Sequence, residues 1–161
     1  MREDNTVVVD ARSILAFGGG HIPGAVNIAL RPEFPNWVGW MLKPEQKILL
    51  VLESERGVCL AAQQLFRIGY DNVLGYLHDG MTTWQDAALP LAQIGEWTVQ
   101  ELNERKAEPG VTVLDVRGGD ERKEGYVPGS KHIYVPHLEE RLGELDTVSY
   151  THLTLPTICS V

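Results

Sequence analysis

VVVDARSILAFGGGHIPGAVNI, running from Val7 to Ile28, is written a second time from Thr112 to Ile133 as TVLDVRGGDERKEGYVPGSKHI. Laid over each other without a gap, the two copies share Val8 with Val113, Asp10 with Asp115, Arg12 with Arg117, Gly20 with Gly125, Pro23 with Pro128, Gly24 with Gly129 and Ile28 with Ile133. The second residue always follows the first by 105 positions. One constant offset of that length marks a duplicated domain, since solenoid units repeat every ~20 to 50 residues. In each copy a β-branched run ends in Asp-x-Arg, a polar stretch follows, and Pro-Gly leads into a second short apolar run. The pattern predicts strand, loop, tight turn, strand. Proline sets its own φ and glycine permits φ > 0, so Pro23-Gly24 and Pro128-Gly129 can turn the chain sharply into the second strand.

A chain of 161 residues has room for one domain or two small ones, and the repeat chooses two. Only 56 residues are left for the second copy, whereas the first runs to about Pro90. The expected division is a complete or nearly complete domain at 1–91, the front half of a second at 92–147, and a tail at 148–161. A formal net charge of −8 with no local Lys/Arg cluster argues against a phosphate-backbone partner such as nucleic acid. The longest aliphatic run, Ile48 to Leu52, falls far short of the roughly 20 residues of a membrane span, and the acidic start MREDN carries no signal-peptide core. Cys59 and Cys159 make no disulfide framework, so a reducing, cytoplasmic setting is expected.

In chain order, Val7 to Asp10 reads as a buried strand and Arg12 to Gly20 as a loop made flexible by Gly18 to Gly20. No Lys-Ser/Thr follows those glycines, which removes a phosphate-cradling reading. Asp10 and Arg12 are expected to be a structural pair, because an always-protonated arginine cannot act as a base. His21 has no second His or Cys at metal-ligand spacing, which favours a half-buried turn histidine bonded to nearby backbone. After a short strand at Val26 to Ile28, the apolar residues Phe34, Trp37, Val38, Trp40, Met41 and Leu42 recur at helical spacing. They form a core helix or an aromatic contact surface. The continuous run Ile48 to Leu52 predicts a central parallel strand covered on both faces. A polar loop over Glu53 to Arg56 and a helix over Gly57 to Ile68, ended by Gly69, should follow. Val73 to Leu77 is the next strand, and a short helix should pack Trp84 on the core before Leu89-Pro90-Leu91 opens the linker. Thr98 and Glu101 form a capping box opening a helix, Val111 to Asp115 starts the second copy, and Glu139 to Leu145 ends it as a helix.

Asp10, Arg12, Gly20-His21-Ile22-Pro23-Gly24-Ala25 and Asn27-Ile28 resemble, position by position, the first signature of rhodanese-like domains. The second copy keeps Asp115, Val116, Arg117, Gly125, Pro128 and Gly129 but has Tyr126 where that family usually has His. Phe34-x-x-Trp37-x-Gly39-Trp40-x-Leu42 resembles the first of two rhodanese repeats carried behind a metallo-β-lactamase-fold domain, a group that includes persulfide dioxygenase fusions. The resemblance implies an α/β fold, a three-layer α/β/α arrangement with a parallel sheet, and a nucleophilic cysteine at a strand end opening a loop of the form Cys-x-x-Gly-x-Arg-Ser. Such a thiolate would draw on the positive end of the following helix and its free N–H groups.

Aligning Gly69-Tyr70-Asp71-Asn72-Val73 with the family's Gly-Tyr-x-Asn-Val puts the nucleophile position on Leu52 and leaves a vestigial loop, Glu53-Ser54-Glu55-Arg56-Gly57. Leu52 carries no thiol. Cys59 is expected inside the helix, about two turns beyond the strand end, as a small buried residue. Glu53 and Glu55 would raise a neighbouring thiol's pKa and repel an anionic donor. Ser54 would need a general base that the sequence does not place. His78-Asp79-Gly80-Met81-Thr82-Thr83-Trp84 resembles the family's Gly-Gly-x-x-x-Trp, with Asp79 in place of the first Gly.

The tail VSYTHLTLPTICSV, Val148 to Val161, lies opposite the central strand of the first copy and lacks its apolar run. Val148 to Thr157 resemble one translated frame of a transposon-end adapter used in sequencing libraries, so the tail is read as foreign and Cys159 carries no catalytic reading. The expectation is a catalytically silent first repeat, with no catalytic, cofactor-binding or metal-binding residue, cut from a larger sulfur-handling protein whose metallo-β-lactamase-fold domain lies upstream. The alternatives are a thiosulfate or persulfide sulfurtransferase and a stand-alone binding module.

Overall fold

The computed structural model describes residues 5–145; the tail read as foreign, with Cys159, lies outside them. The chain divides into two compact units, Met1–Gly95 and Glu96–Val161.

In the first unit, β1 (Thr6–Asp10), β2 (Val26–Asn27), β3 (Lys47–Val51) and β4 (Val73–Tyr76) form one parallel sheet in the order β2-β1-β3-β4. β1 and β3 pair from Thr6 opposite Lys47 to Asp10 opposite Val51. Parallel neighbours need crossovers, and α2 (Phe34–Met41) and α3 (Val58–Arg67) supply them. α2 turns Phe34 and Val38 inward with Leu42 just past its end, and α3 turns Ala61 and Leu65 inward; all join the core around Val9, Ile48 and Leu50. Fully burying each large side chain of this set contributes about 1.5–3 kcal/mol. Tyr70 closes the same core, its hydroxyl donating to the Leu42 carbonyl at 2.7 Å. The aromatic stretch divides between the two readings: Phe34 and Val38 are core, while Trp40 stays 64 % exposed and packs edge-on against the half-buried Trp37.

Three local expectations change. The segment read as a flexible loop holds a helix, α1 (Ile14–Gly19), because Ser13 caps it by accepting from the Ala16 N–H. β3 is not covered on both faces: Ile48 and Leu50 are buried, but Leu49 is 37 % exposed. α3 starts one residue late, at Val58, because Glu55–Gly57 forms a separate 3-10 turn. Gly69 ends α3 as expected, at φ +81° and with its N–H on the Phe66 carbonyl. Residues after Leu91 are tied back to the first unit. Ala92 and His21 exchange backbone hydrogen bonds, the Ile94 N–H donates to the Gly18 carbonyl and Gln93 to the Gly19 carbonyl. That strap moves the break between the units to Gly95/Glu96, beyond the 91/92 division read from the sequence.

In the second unit, α5 (Val99–Arg105) begins with the expected capping box of Thr98 and Glu101. β5 is shorter than expected, Leu114–Asp115, and pairs in parallel with β6 (Lys131–His132). The polar stretch between them holds a short helix, α6 (Gly119–Glu124), and the last described residues form α7 (Leu138–Arg141) and a 3-10 turn to Glu144. The two units pair their corresponding strands in the same register. Val9 opposes Val26 and Asp10 opposes Asn27 in the first unit; Leu114 opposes Lys131 and Asp115 opposes His132 in the second.

Candidate functional site

The Asp-x-Arg motif is structural in both copies. Arg12 forks onto the Asp10 carboxylate, from Nε to Oδ1 at 2.9 Å and from Nη2 to Oδ2 at 2.7 Å, and Nη2 also donates to the Gly20 carbonyl at 2.8 Å. Arg117 repeats this on Asp115, and its Nη2 donates to the Gly125 carbonyl at 2.8 Å. The guanidinium thus closes the segment between strand and turn. Gly24 and Gly129, at φ +81° and +86°, turn the chain as their Pro-Gly pairs require. His21 is buried rather than half-buried: it stacks on Phe17 with ring centroids 3.8 Å apart, and its Nδ1 bonds the Phe17 carbonyl at 2.8 Å.

At the end of β3 the chain reaches Leu52, which is 6 % exposed and belongs to the core. Its side chain leads away from solvent toward Leu30: a methyl group placed on Gly57 would meet Leu52 at 3.0 Å and Leu30 at 3.1 Å. The loop beyond Leu52 is pinned from the other side. Glu53 accepts the Ser13 N–H at 3.0 Å, and that backbone bond is the main reason its carboxyl is held below the usual range. Cys59 differs from expectation. It is exposed and stands in the first turn of α3, because the 3-10 turn takes up the residues that would otherwise have begun the helix.

The loops after β3 and β4 meet around an open cavity of about 540 Å³. Leu52 and Leu77 line it with the hydroxyl-bearing Ser54, Tyr76, Thr82 and Thr83; four carboxylates, Glu53, Glu55, Asp79 and Asp86, complete the polar lining, and no Lys or Arg takes part. Tyr76 donates to Glu55 Oε1 at 3.4 Å, and the Glu55 charge, with smaller contributions from partial burial, Asp79 and Cys59, pushes the phenol up. His78 sits between two of the acids, its Nδ1 against Glu55 and its Nε2 3.6 Å from Asp79 Oδ2. Asp79 occupies the place of the family pattern's first Gly and keeps a positive φ of 53°. Gly80 is required: at φ +56°, a Cβ there would lie 2.8 Å from the Leu52 carbonyl oxygen. Of the loop read from the sequence, Leu52, Glu53, Ser54 and Glu55 line the cavity and Arg56 and Gly57 do not; Asp79 joins the wall and His78 stands next to it, bonded to Glu55, neither of which sequence spacing pointed to. The missed signal was topological. Parallel neighbours joined by one helix bring the loops at their C-terminal ends together, which is where α/β sheets bind ligands.

Chemically, this site offers carboxylates, hydroxyls and one imidazole, and no sulfur at the strand end. Negative charge on the wall disfavours an anionic donor and raises the pKa of any thiol introduced there.

A parallel sheet with helical crossovers, a carboxylate–guanidinium clasp and a loop at the strand end define an α/β domain of the rhodanese type. Residues 1–87 match the family model described as the rhodanese-like domain, and the chain belongs to that family. An uncharacterized protein of Buchnera aphidicola is 29% identical over 92 residues, a match covering 56% of this chain and 63% of that protein. Among solved structures, a rhodanese-like domain from Anabaena sp. aligns with a TM-score of 0.50 at 20% identity, over 54% of this chain and 90% of that one. The anaerobic ergothioneine biosynthesis enzyme from Chlorobium limicola, solved with trimethyl histidine, aligns with a TM-score of 0.52 at 20% identity, over 86% of this chain and 39% of that one. These likenesses bear on the fold.

Proposed function

We propose that this chain is a catalytically silent rhodanese-like repeat followed by part of a second repeat, serving as a scaffold or recognition module in a larger sulfur-handling protein. The observation that carries the reading is Leu52. The position that the family alignment assigns to the nucleophile is a core leucine, 6 % exposed, with no lone pair to accept a sulfane sulfur. The four carboxylates of the neighbouring cavity support it, since thiosulfate and a cysteine persulfide are both anionic there. The matching strand registers and the paired Asp–Arg clasps support the duplication. The parent protein would carry a metallo-β-lactamase-fold domain upstream and would work in the cytoplasm. The described residues include no helix long and apolar enough to cross a membrane.

The test is thiosulfate-to-cyanide transfer by the purified chain, with mass spectrometry for a persulfide on either cysteine. No turnover and no persulfide is the expected result, and Leu52→Cys alone should restore little, because the new thiol would be buried beside Glu53. Turnover that disappears on Cys59→Ser would assign the activity to Cys59, whose exposed place in the first turn of α3 makes that control necessary. The flanking gene sequence tests the parentage: an upstream His-x-His-x-Asp-His motif is expected.

A further inference from the structure

We propose that His78 and Asp79, with Glu55 behind them, form a binding site for a single first-row divalent cation of the zinc type at the mouth of the cavity between the β3 and β4 loops. The three side chains come from two loops and offer ligand atoms that all lie within 4.8 Å of one another. The geometry within the set is directional. Glu55 Oε1 sits against His78 Nδ1, which orients the ring and leaves Nε2 facing Asp79. A carboxylate on one ring nitrogen and an open position on the other is the arrangement by which proteins fix a metal-ligating histidine and raise its basicity. Nε2 and Asp79 Oδ2 are 3.6 Å apart. Two ligands at about 2.1 Å from one zinc ion, subtending about 120°, are separated by that distance. Bridging the two atoms, which come from adjacent residues of one loop, requires no change in their separation.

The surroundings favour a cation independently of those three residues. Glu53 and Asp86 add two further carboxylates to the same cavity, and no Lys or Arg lines it to neutralise them. Imidazole with carboxylate selects zinc and its first-row neighbours over magnesium, which prefers an all-oxygen shell and keeps its water. Glu55 and Asp79 line the cavity of about 540 Å³, while His78 stands beside it, and all three side chains are exposed, so water can complete the ion's coordination. The site does not depend on the chain being silent as a sulfurtransferase, because none of its ligands occupies the nucleophile position.

The experiment is titration of the purified full chain with zinc alone and magnesium alone, by calorimetry and by NMR of the histidine rings. It is run in a Cys59→Ser/Cys159→Ser background so that thiols cannot bind the metal. We expect one zinc per chain, a shift localised to Nε2 of His78, and no comparable response to magnesium. His78→Ala and Asp79→Asn should each weaken zinc at least tenfold; asparagine tolerates positive φ, so Asp79→Asn keeps the turn. Glu55→Gln should weaken it by roughly the 10- to 100-fold typical of outer-shell partners, with the Nε2 shift retained at saturation. Zinc affinity unchanged in all three variants, a shift on another histidine, or no saturable binding would each overturn the proposal. Amide spectra of each variant establish that loss of binding is not loss of fold.

Discussion

Asp10 and Arg12 have side chains 0 % and 9 % exposed, so their ion pair is cut off from water, whereas Arg117 is 34 % exposed and shares Asp115 with Arg122 at 2.9 Å. Removing one partner of a buried pair strands the other charge, which costs roughly 3–5 kcal/mol. Arg12→Met should therefore cost that much and also orphan the Gly20 carbonyl. Arg117→Met leaves Asp115 paired with Arg122 and should cost less than Arg12→Met does. Hydrogen exchange of the β1 and β5 amides in the two variants measures the contrast, and equal losses would refute it. Asp115 also predicts a pH effect. The Arg117 hydrogen bond, chiefly, lowers its pKa to about 2. A group depressed on folding contributes stability that is complete above its unfolded value, about 3.9, and is lost as pH falls through the folded value. The second unit should accordingly lose this contribution between about pH 4 and pH 2, with the Asp115 carboxyl resonance titrating near the lower end; a midpoint near 4 would contradict the clasp.

Between elements, the two segments spaced by 105 residues make different side-chain contacts. Phe17 stacks on His21 in the first copy, and the residues 105 positions later, Arg122 and Tyr126, meet as a cation over a ring at 4.3 Å. Tyr126, a departure from the family signature when read alone, has Arg122 over its ring where His21 has Phe17. The same segment becomes a capped helix in both copies, α1 and α6, so the contact holds a short helix above the turn in each. The turn from β4 into α4 (Met81–Asp86) is tighter. Gly80 sits where a methyl group would press to 2.8 Å from the Leu52 carbonyl, on backbone that disfavours any side chain. Gly80→Ala should cost roughly 1–3 kcal/mol of strain, read as a fall in the first unit's melting temperature. An unchanged melting temperature would mean that the turn relaxes freely.

Across the whole molecule the units are unequal in pairing. The first carries a four-stranded sheet, and the described part of the second carries two strands joined over two residue pairs. Protection against exchange follows the number of buried, mutually supported hydrogen bonds. Amides of β1, β3 and β4 should thus be far slower to exchange than those of β5 and β6. Equal protection would show that the second unit is completed by residues beyond 145.

Residue order alone determined the 105-residue recurrence of the motif, the parallel α/β class, the Pro-Gly turns and the capping box. Each is written in local pattern or in one fixed spacing, and local backbone preference carries it. What the reading of residue order missed was settled in part by neighbouring turns and in part by partners distant in the chain. The Arg12–Gly20 segment is a helix because Ser13 caps it. Cys59 is exposed because a 3-10 turn precedes α3. Trp40 is solvent-facing because its helix buries Phe34 and Val38 instead. Glu55 meets His78 and Asp79 only because β3 and β4 lie side by side, with the whole of α3 intervening in sequence. Hydrophobic period identifies a strand; which loop stands beside which is a property of sheet order, and that depends on packing of the entire unit.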